Sequence, residues 1–450
     1  VSASSPGSGS PFEQLLSDLL RILNQSGGMH WDLARQVAVS VATDGNPEDN
    51  VDPIERIRLE ELLRVAELHV EAATGLRASR RGLGVTARPL RRSEWAVSTI
   101  EAWRPLLEPL SSTLASEQAG LGGLPLLPEN LVGGLGSETG LADLLGSLGR
   151  AVAPAMLGLQ LGSAIGHLSR RALGQYDLPI PRPALDELSV VPANLAAFAS
   201  DWSLPLDDVR LWVLVSETAH HALLSVPHVN ERLTSLYSSY VAGYRPDVHG
   251  LEERLAGLDP TDPETIQAAL GDPASLVSEQ ESPAQAATRV ELEALVAALE
   301  GYAEHVSVMV GRRLAGSSPA LLEALRRRRV DRDAGERFVG DLFGLRYDQR
   351  LLDRGRAFVE GVVERAGEDG LSPLVMAGAF LPTPAEVDAP GLWLERIRLD
   401  GAPGLAPHLQ AGSTSPGASH PDEPGPEGLG VPDAPDPQGV QPPDEPGPQD

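Results

Sequence analysis

One pentapeptide holds the clearest chemistry in this chain: Ser216-Glu217-Thr218-Ala219-His220. Its frame is that of H-E-x-x-H, in which two histidines four residues apart grip one zinc ion from a single helical face. The Glu beside the first histidine then serves as general base toward the metal-bound water. Glu217 and His220 stand in their places, but position 216 carries Ser where the first imidazole belongs. A neutral hydroxyl is a poor zinc ligand beside imidazole, so zinc is expected to bind weakly or not at all. His221 is no direct replacement, because it lies roughly 100° around a helix from His220. Taken alone, Glu-x-x-His also describes an ordinary hydrogen-bonded helical pair.

The element that must position these groups is a helix over Asp207–Leu224. Asp207 and Asp208 suit its positive end, Leu211, Val215, Ala219 and Ala222 recur at helical spacing, and Pro227 cannot continue it. A second helix starts at Ser282-Pro283 and repeats Leu292, Val296, Leu299, Ala303, Val306 and Val310 along one side. Glu300 sits on the edge of that buried side, where an unpaired carboxylate is costly. Its partner is either a metal or an arginine such as Arg289, and Gly301 beside it admits another backbone. A di-iron carboxylate site would need Glu-x-x-His twice, and the chain has it once.

Periodicity elsewhere is helical as well: Phe12 to Leu23, Trp31 to Val41, Pro53 to Ala73, and Trp95 to Leu110 with breaks at Pro105 and Pro109. Residues 111–150 are Gly- and Leu-rich and predict a loop or insertion. Ala151–Leu168 is the most apolar stretch, but Pro154, Gln160 and Ser163 interrupt it, which favours a buried helix over a membrane span. Gly158, Gly162 and Gly166 repeat every four residues and permit close helix–helix approach. The fold class is therefore mainly α, a multi-helix domain over residues 11–400 with little or no β structure and disordered termini. Those termini are residues 1–10, rich in Ser and Gly, and 401–450, which hold 13 of the 39 prolines and no arginine.

The chain has no cysteine, so thiolate metal sites and disulfides are excluded. The formal net charge of −27 argues against general nucleic-acid binding. The run Arg326–Arg329 is diluted by Asp331, Asp333 and Glu336 and reads as a solvated helix end. Residues 1–10 have neither a basic nor an apolar signal region, so a cytoplasmic location is expected.

Several segments follow one another in a telling order: WDLARQVA from Trp31, GSAIGHLSRRALGQYDLPIP from Gly162, VVPANLAAFASDW from Val190, the helix of 207–224, EGYAEHV from Glu300, LPTPAEV from Leu381 and WLERI from Trp393. In that order the chain resembles the zincin-like metallopeptidase family common in actinobacteria, whose members are usually filed as candidate hydrolases. The resemblance implies a helical zincin acting on a peptide or protein. It makes Glu217 the general base, His220 the second zinc histidine and Glu300 the third, downstream ligand. At Ser216, the position of the first zinc histidine, the correspondence fails. Two outcomes are compatible with this. In one, the fold persists as a pseudoenzyme or protein-binding scaffold with weakened or lost catalysis. In the other, a working metallopeptidase recruits a substitute ligand, His221 or His305, the latter five residues beyond Glu300.

Overall fold

Helices separated by Pro and Gly build the computed structural model, which describes residues 28–401 apart from 80–81, 121–137, 184, 245–280, 316–318 and 331–333. These described residues lie in one compact unit, Val1–Leu405, while the second unit, Ala406–Asp450, falls outside them. The Phe12–Leu23 stripe, the segment 1–10 and the tail beyond 401 likewise lie outside.

The chain runs α1 (Trp31–Thr43), α2 (Pro53–Thr74), β1 (Thr86–Pro89), α3 (Arg92–Gly120), α4 (Glu138–Ser169), β2 (Glu187–Val190), α5 (Pro192–Asp201), α6 (Leu206–Leu224) and α7 (Pro227–Ala242). After the gap come α8 (Pro283–Ala315), α9 (Pro319–Val330), α10 (Ala334–Phe343), α11 (Gln349–Ala366), and the short α12 (Pro373–Met376), α13 (Pro384–Asp388) and α14 (Pro390–Leu399). The mainly helical class is as expected. The one sheet among the described residues is a parallel pair, Thr86 opposite Glu187 through Pro89 opposite Val190. Parallel strands need a long crossover, and α3 and α4 lie within it.

Two expectations are corrected here. Helix α3 is not broken at Pro105 or Pro109 but runs on to Gly120. Each Pro removes one N–H, so α3 forgoes the bonds to the carbonyls of Glu101 and Pro105 one turn back, yet the helix continues through both. Helix also enters the 111–150 stretch from both ends, to Gly120 and from Glu138, as the high helix propensity of its Leu and Ala residues allows.

The α4 glycines act as the spacing predicts. A Cβ on Gly162 or Gly166 would crowd the α1 carbonyls of Ala34 or Ala38, and one on Gly158 that of His30 at the start of α1, so the two helices touch along their backbones. No helix among the described residues is long and apolar enough to cross a membrane. Helix α6 is less amphipathic than its pattern implies. From Val213 to Leu224 every side chain is buried, while Leu211 is only partly so. The cause is enclosure: α2, α5 and α8 all pack on α6, so its second half has no solvent face.

Candidate metal centre and its hydrogen-bond shell

Burial on all sides forces each polar group of α6 to find a partner within the protein. His220 finds two. Its Nδ1 lies 2.7 Å from the carbonyl oxygen of Ser216, one turn back, and Nε2 lies 3.0 Å from Oε1 of Glu300. A carbonyl can only accept, so Nδ1 carries the proton and Nε2 is the atom presented to Glu300. The second Glu300 oxygen, Oε2, accepts the hydroxyl of Tyr347 at 2.5 Å. Tyr347 reaches in from the turn just before α11, and Asp348 caps that helix through Leu351 N–H at 3.0 Å. The close approach of α11 to α8 depends on Gly301, where any side chain would run into the backbone of Gly355. Burial acts to lower the His220 pKa. The Glu300 charge, its hydrogen bond and the Ser216 carbonyl outweigh it, so the imidazole is held above its ordinary value.

Glu217 has a different environment. Its Oε2 accepts the backbone N–H groups of Gln175 at 2.9 Å and Tyr176 at 3.1 Å, in the segment that leaves α4. Gly174 lies directly against this carboxyl, and a Cβ there would overlap it. The segment is itself fixed: Trp95 donates its indole N–H to the Gly174 carbonyl at 2.9 Å, and Gln175 Oε1 accepts Ser189 N–H at 3.0 Å. Burial, reinforced by the charge of Asp177, pushes the Glu217 pKa up to about 8 against the pull of His220 and the two N–H donors. Near neutral pH its carboxyl is largely protonated, and it clips the 174–176 turn onto α6.

Each residue singled out from sequence has a definite position. His220 and Glu300 are joined directly, and Glu217 lies beside them, close enough for the His220 charge to act on it. Ser216 is buried and contributes its carbonyl. His221 turns to the Tyr176 hydroxyl, 2.9 Å from Nδ1. His305 faces outward to Glu368 at 2.7 Å. Arg289 is not the partner of Glu300, since it pairs with Glu281 at 2.8 Å and Glu293 at 3.4 Å. Arg328, expected as part of a solvated helix end, instead reaches Asp177 at 2.6 Å and ties α9 to the same turn.

Sequence reasoning missed Tyr176, Gln175 and Tyr347. The Tyr176 ring stacks on His220, with centroids 6.2 Å apart and planes within 16°. Their roles depend on contacts more than 40 residues away in the chain, which no local pattern encodes.

The fit to zinc is partial. A histidine that donates Nδ1–H to a carbonyl and presents Nε2 is oriented as metal-binding histidines are. A catalytic zinc needs three protein ligands, and no group of three His, Cys, Asp or Glu residues that could hold a metal occurs among the described residues. Ser216 leaves the third position without a donor.

Residues 29–394 match the family model described as zincin-like metallopeptidase. Among solved structures, the fold is similar to that of a candidate hydrolase with a novel fold from Chloroflexus aurantiacus. That likeness has a TM-score of 0.57 and 23% identity and covers 82% of this chain and 99% of the other. No curated protein matches.

Proposed function

The chain belongs to the zincin-like metallopeptidase family, and from that premise we propose that it keeps the family's fold for recognition of a peptide or protein, with zinc binding and hydrolysis weakened or lost. The observation that carries this reading is the closed chain Ser216–His220–Glu300–Tyr347. The two remaining ligands bind each other, and each Glu300 oxygen already has a protein partner. Glu217, the family's general base, is engaged by two backbone N–H groups and held largely protonated. Neither role suits a group that must accept a proton from water. His221 and His305 have partners of their own, which supports loss of the site over its reconstruction.

One feature favours the second reading, a metallopeptidase that completes its site with a substitute ligand. His220 retains the orientation of a metal histidine and meets Glu300 through the nitrogen that a metal would take. Calorimetric zinc titration separates the two. Wild type is expected to bind weakly, Ser216→His at least tenfold more tightly, and Ser216→His with His220→Ala no better than wild type. Tight stoichiometric binding by wild type would establish the second reading. Equal, weak binding by all three would show that this face of α6 is not a metal site.

A further inference from the structure

Arg182 stands where two cavities meet and makes no ion pair with a described residue. Its Nη2 donates to the Thr99 hydroxyl at 2.9 Å, and its guanidinium lies 5.7 Å from the ring centroid of Trp95 and 5.8 Å from that of Trp103. Its Nε is buried with no hydrogen-bond partner, and no described carboxylate is within ion-pair distance. Burial lowers its pKa to about 10, so it remains charged at neutral pH. A desolvated N–H donor on a cation is expensive to leave unmatched.

Two cavities meet at this side chain. The outer cleft, about 660 Å³, has Val97, Ala102 and Leu185 among its apolar walls. The inner one, about 30 Å³, reaches Tyr347. Arg182 and Gln175 line both. The acidic residues of both walls are matched to other arginines. Glu94 pairs with Arg91 at 2.8 Å, Glu187 with Arg88 at 3.6 Å and Glu101 with Arg35. Deeper in, Asp177 pairs with Arg328 at 2.6 Å and Glu336 with Arg171 at 3.9 Å. Arg182 is thus the lining cation that no wall carboxylate contacts directly, although the charges of Asp177 and Glu217 act on it, and it is one residue (Gln175) removed from the clip on Glu217.

We propose that Arg182 anchors the C-terminal carboxylate of a peptide lying in the outer cleft, with the last side chain against its apolar wall. This rests on the peptide-recognition reading above and names its ligand class. A planar guanidinium edge matches a planar carboxylate, and the tryptophan faces keep water from competing. A single carboxylate on an otherwise uncharged peptide also tolerates the net charge of −27, which disfavours polyanions.

The test compares two pools of short peptides with randomised uncharged residues, one ending in a free carboxylate and one amidated. Binding to the full chain is measured with chelator present, so the result does not depend on metal. Wild type should prefer the free pool by about tenfold or more, the scale of hydrogen bonds to a charged group. Arg182→Gln should bind both pools as wild type binds the amidated one, and Arg182→Lys should keep part of the preference. Equal binding of both pools by wild type would overturn the carboxylate anchor and leave peptide recognition standing. Binding of neither pool would overturn both. Displacement of the free pool by inorganic phosphate, but not by acetate at equal concentration, would reassign Arg182 to a phosphate and overturn the proposal. The wild-type comparison decides the matter even if an Arg182 variant fails to fold.

Discussion

Helix α8 carries two histidine–carboxylate contacts barely more than one turn apart, and they differ far more in burial than in distance. Glu300 meets His220 at 3.0 Å, with both side chains no more than 5% exposed. His305 meets Glu368 at 2.7 Å, with side chains 27% and 55% exposed. The shorter contact is the weaker one. In water the attraction of opposite charges at this separation is small and is further screened by salt. In the enclosed site, losing a partner leaves a polar group with neither water nor protein to satisfy it. Burial, more than separation, decides which of the two pairs the fold depends on.

The largest effect is expected from Glu300→Ala. It removes the carboxylate partner of Nε2 on a histidine whose pKa is already raised, and with it the acceptor to which the Tyr347 hydroxyl donates. Urea unfolding should show a loss of about 3–5 kcal/mol, as for other buried pairs deprived of one member. A loss below about 1 kcal/mol would mean that water enters the site freely.

How far this pair was legible in the sequence follows from the kinds of contact involved. His220 and Glu300 could be found because a five-residue frame and the order of downstream segments placed them. The helices could be found because apolar residues recur at 3.6-residue spacing through α1, α2, α6 and α8. The Arg289 partner for Glu300 was wrong because charge complementarity alone does not say which way a helix faces. Pro105 and Pro109 suggested a break, since the rule against interior proline is local, whereas the packing that carries α3 through them is tertiary. Nothing in the sequence around Arg182 marks it as unpaired. Its isolation follows from where other arginines meet other acids.

The second test acts on the neighbouring carboxyl and uses pH. Glu217 has a folded pKa near 8 against an ordinary value of 4.5, so the folded state holds more protons than the unfolded state between those limits. Stability from this group therefore falls as pH rises from about 4.5 to about 8. His220 slopes the same way: its raised pKa contributes stability below about 6.5 that is lost as pH rises through the folded value. Glu217→Gln keeps an oxygen for the Gln175 and Tyr176 N–H groups but cannot ionise. It should match wild type near pH 5 and exceed it by roughly 2–4 kcal/mol above pH 8. Parallel stability curves across the window would show that burial does not raise this carboxyl, and the clip would then be an ordinary ionised one.

The smallest effect is expected at the exposed pair, and its smallness is informative. His305→Ala removes a side chain whose carboxylate partner is more than half exposed, and water can replace the lost contact at Glu368. Exposed ion pairs are commonly worth less than about 1 kcal/mol, so unfolding should shift by no more than about 0.5 kcal/mol. His305 was also a candidate substitute ligand, and the same variant addresses that role. From its outward position it cannot stand in for the imidazole absent at 216, so zinc affinity measured beside wild type should be unchanged. A tenfold fall in zinc affinity with stability intact would show that α8 can turn His305 inward when metal is present. Only then would a reconstructed zinc site displace the closed His220–Glu300–Tyr347 chain as the account of this centre.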